Sequence, residues 1–153
     1  MLKSLLLGVL CVVVGLVVFG VYNLFQRAAL SQEMSPELGA LQQSQSACPD
    51  SPNCVSSFSQ DERHRIASIE GDLEDFRALS AYIAETSNAE VRVLSNNYLW
   101  AIYTSKLFGF ADDLEIYHDG SQIQVRSASR VGYEDLGANR SRVETLRTFL
   151  ENR

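Results

Sequence analysis

Charge is nearly missing from the start of the chain, where Lys3 is the only charged residue before Arg27. Beyond position 27 stand 11 basic residues against 19 acidic ones, a net −8. That excess excludes broad nucleic-acid binding, which wants a basic stripe. Cysteine is scarce as well. Three cysteines, three prolines and nine glycines in 153 residues exclude a disulfide-dense miniprotein, a collagen-like chain and a low-complexity chain. No G-x-S-x-G elbow, phosphate-binding loop or H-E-x-x-H helix occurs. The sequence therefore names no reaction, and no cofactor or metal is expected.

What the N-terminus does have is a long apolar run. Leu5 to Tyr22 are 18 consecutive apolar or glycine residues, and the uncharged stretch from Ser4 to Gln26 is 23 residues long. At about 1.5 Å per residue that reaches roughly 34 Å, enough to cross the hydrocarbon of a bilayer. A secretory signal would have a shorter apolar region and a small-x-small cleavage site, which Arg27-Ala28-Ala29-Leu30 matches poorly. Leu10 before Cys11 is too large for a lipoprotein signal. The expectation is a retained single-pass anchor over residues 1–27, with Lys3 favouring an inside start and Arg27 opposing it weakly. Cys11 is a small apolar filler within it. A polar tether over residues 28–47 and one soluble domain over residues 48–153 follow, the domain long enough for one modest core.

Within that domain, Asp72 caps a helix with Glu74 and Asp75 in its first turn. Leu73, Phe76, Leu79 and Ile83 form its apolar stripe, and Asn88 is a plausible stop. Val91 and Val93 alternate with polar residues, Ser95-Asn96-Asn97 marks a turn, and Tyr98 to Thr104 suits a pleated surface. Asp119-Gly120 predicts a two-residue hairpin. In that register His118 faces Ser121, Ile116 faces Ile123 and Leu114 faces Val125 on the apolar side. Tyr117 then faces Gln122, Glu115 faces Gln124 and Asp113 faces Arg126 on the other. A last helix starts near Asn139 or at a Ser141–Glu144 capping box, and buries Val143, Leu146, Phe149 and Leu150. The expected fold is a two-layer α+β domain: a four-stranded antiparallel meander with both helices on its apolar face.

Two stretches can carry chemistry. Cys48-Pro49-Asp50-Ser51-Pro52-Asn53-Cys54 is too widely spaced for a C-x-x-C redox site. It fits a structural disulfide outside the cytosol, with unpaired thiols or a metal as alternatives; a metal would need further ligands, and only His64 and His118 are at hand. His64, in a charged segment, reads as solvated, and His118 as an ordinary residue beside a hairpin tip. The second stretch, Arg126 to Arg142, leaves a strand and enters a helix N-terminus. Arg126, Ser129, Arg130, Tyr133, Asn139, Arg140 and Arg142, with Asp113, are the candidate ligand residues for a phosphate or carboxylate, which arginine binds through a planar fork. The plainer reading is internal pairing, Arg126 with Asp113 and the others with Glu134, Asp135 or helix carbonyls. Asp112 and Asp113 are adjacent on a strand, so they point to opposite faces and cannot share one site without a bulge.

C-P-D-S-P-N-C-V-S-S, F-x-F-x-D-D-L-E and R-S-A-S-R-V-G-Y-x-D-L-G-x-N-R, in this order, resemble the family called domain of unknown function 1499. The resemblance spans nearly all of Cys48 to Leu150 and implies small bacterial and plastid proteins, often with an N-terminal hydrophobic segment. It implies no reaction, substrate or cofactor. Ile66-Ala67-Ser68-Ile69 lacks a proline that many members carry there. The functional expectation is a binding or interaction module in the bacterial inner membrane, its domain facing the periplasm and meeting an anionic small molecule, lipid headgroup or envelope protein. The alternatives are a hydrolase using Asp112 or Asp113 with arginine charge stabilisation, and a structural partner of another membrane protein.

Overall fold

The computed structural model describes residues 2–36, 38–45 and 48–153. A long apolar helix, α1 (Leu2–Glu33), leads into a short 3₁₀ turn at Leu41–Gln43. There follow β1 (Cys54–Ser56), α2 (Leu73–Glu85), β2 (Ala89–Leu94), β3 (Tyr98–Thr104), β4 (Ala111–His118), β5 (Ile123–Ser129) and α3 (Ala138–Glu151). The class is α+β, as the hydrophobic periods indicate. The sheet has five strands, not four, in the order β1-β5-β4-β3-β2, every pair antiparallel. The expected meander is β2 to β5. The added strand, β1, is three residues long, too short to show a period, and it borders β5 beside the Cys48–Cys54 segment.

One face of the sheet makes the main core. Leu99, Ala101, Leu114, Ile116, Ile123 and Val125 meet Phe76, Leu79 and Ile83 of α2 and Val143 and Leu146 of α3. Each fully buried large side chain there is worth about 1.5–3 kcal/mol of removal from water. α2 starts where expected: the Asp72 carboxylate accepts from the amides of Glu74 and Asp75, and the Asp75 carboxylate reaches back to the Asp72 amide. Its end is Thr86. Asn88 instead staples the start of β2 to Thr104, through its backbone carbonyl and side-chain amide. A bulge after Val91 pairs Val93 with Trp100, so Val93 leaves the core face and stays exposed. α3 starts at Ala138, near the Asn139 expectation and not at a Ser141 box; its N-cap is Gly137, and the Asp135 carboxylate just before it accepts from the Gly137 and Asn139 amides.

The β4–β5 register departs from the two-residue reading. His118 pairs with Ile123, Ile116 with Val125, Glu115 with Arg126 and Asp113 with Ala128. The connection is four residues long because the Asp119 carboxylate gathers the amides of Ser121 and Gln122 and the Ser121 hydroxyl, with Gly120 at φ +103°. A shift of two residues keeps every side chain on its expected face and changes only its partner.

The second face of the sheet is also covered. Ala28, Ser31 and Leu41 are buried, and β4 contacts both the end of α1 and the 3₁₀ turn. The segment expected as a tether is thus helical to Glu33 and then packs back through Leu41; its Glu37, Ser46 and Ala47 lie outside the described residues.

Candidate functional site

Two polar networks lie on opposite sides of the sheet, and Asp112 and Asp113 belong to one each. On the core side, Arg142 of α3 pairs with Asp112 at 2.7 Å and lies 4.5 Å over the Tyr103 ring. Its other nitrogen donates to Ser127 Oγ (2.7 Å) and to Asn139 Oδ1. Asn139, fully buried, donates in turn to the Asn53 carbonyl and Ser129 Oγ, both at 3.0 Å. This network ties α3, β5 and β1 together, and burial pushes the Tyr103 phenol up.

On the other side, Arg130 grips Asp113 with two 2.8 Å bonds through Nε and Nη2, and both side chains are buried. Trp100 Nε1 donates to the same carboxylate at 2.8 Å. Arg130 Nη1 reaches the carbonyls of Ser31 (3.1 Å), Gln32 (3.5 Å) and Met34 (2.8 Å) at the end of α1. The first two are carbonyls that a helix terminus leaves unpaired, where a cation is favourable, and Met34 follows directly after α1. Next along the strand, Glu115 is fully buried. It receives Arg126 at 3.3 Å, the Tyr98 hydroxyl at 2.8 Å and the Gly39 amide at 3.0 Å. Burial and the Glu115 charge push the Tyr98 phenol far above its usual range.

The pairing of Arg126 with Asp113 is therefore replaced by Arg126 with Glu115 and Arg130 with Asp113, a consequence of the longer hairpin. The eight candidate ligand residues do not form one cluster. Arg126, Arg130 and Asp113 share the second face; Asn139 and Arg142 sit in the core-side network, and Ser129 joins it through its hydroxyl. Tyr133 is exposed on the β5–α3 loop, and Arg140 donates to the Arg63 carbonyl at 3.2 Å. A cavity of about 430 Å³ opens on the second face, lined by Met34, Ser35 and Pro36, by Cys48 and Pro49, and by Asp113, Arg126, Ala128, Ser129 and Arg130.

The cysteine alternatives resolve to a Cys48–Cys54 disulfide, with Cα atoms 5.6 Å apart. His64 is not solvated. It is 4% exposed, Nδ1 lies 2.9 Å from the Cys54 carbonyl, and Nε2 has no hydrogen-bond partner among the described residues. The charges around it in sequence conceal this: Asp61 pairs with Arg63 at 2.6 Å, and its carboxylate lies 4.0 Å from His64 Nε2. That pairing holds the Asp61 carboxyl down at about 2. Glu115, Tyr98, Trp100 and Asn53 were not among the sequence candidates. The available signal was Tyr98 and Trp100 sharing a strand face with Ile102, a combination that suits a covered surface better than a wet one.

A family model described as a protein of unknown function, DUF1499, matches residues 45–150. The chain belongs to this family. The DUF1499 region contains the whole sheet, α2 and every arginine of the two networks, whereas the α1 carbonyls held by Arg130 and the Gly39 amide come from outside it. A search of curated proteins and a search of solved structures each found no match.

Proposed function

We propose that this DUF1499 protein is a single-pass membrane protein of the bacterial inner membrane whose extracytoplasmic domain is a binding or interaction module. α1 is long and apolar enough to cross a membrane, and the disulfide suits an oxidising compartment. The observation that carries the binding role is the cavity at the seam between the residues after α1 and the sheet. Its lining includes Arg126, Ser129 and Arg130 together with Asp113. Both arginines are already in ion pairs, so the occupant is a small anionic group that adds an acceptor to paired guanidinium groups, as a phosphate or a lipid headgroup does. The hydrolase alternative gains nothing from the geometry, since Asp112 and Asp113 occupy opposite faces and each is bonded to an arginine.

The test is native mass spectrometry of the full chain titrated with inorganic phosphate or with phosphatidylglycerol. A stoichiometric adduct is expected, weakened in Arg126→Lys, which keeps the charge and loses the planar fork. An adduct with phosphate alone identifies a free anion as the ligand; one with the lipid alone identifies a headgroup. No adduct with either probe overturns the binding role. A C-terminal alkaline phosphatase fusion that is inactive would overturn the extracytoplasmic placement.

A further inference from the structure

The end of α1 does more than join the domain to an apolar helix. Phe25, Ala28, Ser31 and Gln32 form one stripe along it, and the chain around the β3–β4 loop runs down that stripe. The Ala111 amide donates to Ser31 Oγ at 3.0 Å, Gln32 Nε2 donates to the Gly109 carbonyl at 2.7 Å, and the Phe108 ring meets Phe25 edge-on with centroids 5.6 Å apart. Ser31 to Phe25 is six residues, about 9 Å of helix. From Ala111 to Phe108 the loop therefore descends toward the apolar part of α1, and Phe25 lies two residues inside Arg27, within the uncharged stretch.

The loop sequence, Ser105-Lys106-Leu107-Phe108-Gly109-Phe110, is built for that position. Its turn closes on Ser105, whose carbonyl accepts from the Gly109 amide and whose amide and hydroxyl meet Phe110. Leu107, at the tip, is 75% exposed, and Phe108 packs on Phe110 as well as on Phe25. An exposed leucine beside two phenylalanines matches an apolar surface, and continuity with an apolar helix favours the acyl boundary of a bilayer. Lys106 is exposed next to it, with a stem long enough to keep its ammonium among headgroups. The β5–α3 loop leaves the same end of the sheet and exposes Tyr133 and Leu136, but its Glu134 and Asp135 keep it on the aqueous side.

We infer that the β3–β4 loop is a second membrane contact, dipping Leu107 and Phe108 into the lipid boundary beside α1 and fixing the domain against the bilayer. This rests on the reading of α1 as a membrane anchor. The test uses the full chain with Cys11→Ser, its disulfide intact, in vesicles of phosphatidylcholine and phosphatidylglycerol. A nitroxide is placed on Leu107→Cys, on Val13→Cys within α1, or on Ser121→Cys at the opposite end of β4. Power saturation then compares access to oxygen with access to a water-soluble nickel chelate. Leu107 is expected to show an oxygen-to-nickel ratio above that of Ser121 and below that of Val13. A water-like ratio at Leu107 with a lipid-like ratio at Val13 would overturn the inference, leaving the anchor in place and pointing to a protein partner for the loop. A water-like ratio at Val13 would overturn the anchor, and the inference with it.

Discussion

Asp113 takes three donors, two from Arg130 and one from Trp100, on a face where it is 2% exposed. Removing one member of such a pair leaves a buried charge without its counter-charge, which costs about 3–5 kcal/mol. Asp113→Ala is expected to lose that much in denaturant unfolding, whereas Asp113→Leu with Arg130→Met is expected to lose less than the single variant. Equal or larger loss in the double variant would mean that Arg130 acts mainly through the α1 carbonyls. That the two aspartates face opposite ways was legible from strand geometry alone, but their partners were not. Partner identity depends on the hairpin length, which the Asp119 side chain sets. Burial, the largest single influence on Asp119, pushes its carboxyl up. Hydrogen bonds from Gln124, Ser121 and Gln122 together outweigh it and bring the carboxyl from 3.8 to about 2. A folded value below the unfolded one stabilises the fold above the unfolded value, and that contribution is lost as pH falls through the folded one. The stability of Asp119→Asn, measured against pH, is therefore expected to be flatter than wild type between about pH 4 and pH 2. Parallel curves in that window would show that the turn bonds do not favour the carboxylate.

Elements with a period announced themselves, and elements held by a few contacts did not. α2, β4, β5 and α3 follow apolar spacing, so their faces could be assigned. β1 has three residues and no period; its place comes from pairing with β5 and from the disulfide that begins it. Cys54 is buried, the Asn53 carbonyl just before β1 accepts from the Ser129 amide, and Val55 reaches the core, so the disulfide adds a covalent tie to a short edge strand. By loop length, closing these residues stabilises the fold by about 2 kcal/mol. Cys48→Ser with Cys54→Ser is expected to lower stability by roughly that amount, with exchange protection at Val55 and Ser127 lost before that at Ile116 and Leu99. Uniform loss across the sheet would mean that β1 belongs to the central unit rather than hanging from its edge. The end of α1 was concealed for another reason. The segment after Arg27 reads as polar because most of its side chains are, but much of what docks it is backbone, the carbonyls of Ser31, Gln32 and Met34 and the Gly39 amide, joined by the Ser31 and Gln32 side chains and by Leu41.

At the scale of the molecule these contacts decide whether the domain swings on a tether or stands on its helix. Arg130 donates two hydrogen bonds to carbonyls of α1 and one to Met34 just past it, the Ala111 amide donates one to Ser31, Gln32 donates one to Gly109, and Glu115 takes one from Gly39. Individually they are worth about 1 kcal/mol or less where water can replace them. Together with Leu41, fully buried against the sheet, they amount to a sizeable part of a small domain's net stability of about 5–15 kcal/mol. A fragment of residues 48–153 retains the core of both helices and the whole sheet, so it is expected to fold, with Arg130, Ala111 and Glu115 turned to solvent. Native-state hydrogen exchange on that fragment and on the full chain in lipid nanodiscs separates the two pictures. If the domain stands on α1, the Ala111 amide exchanges faster in the fragment, while the mid-strand amides of Ile116 and Val125 change only with global stability. If the domain swings, the Ala111 amide exchanges alike in both, because in neither is Ser31 there to hold it. The second result would also remove the ground for the loop's descent along α1, since that descent is measured from the Ser31 contact.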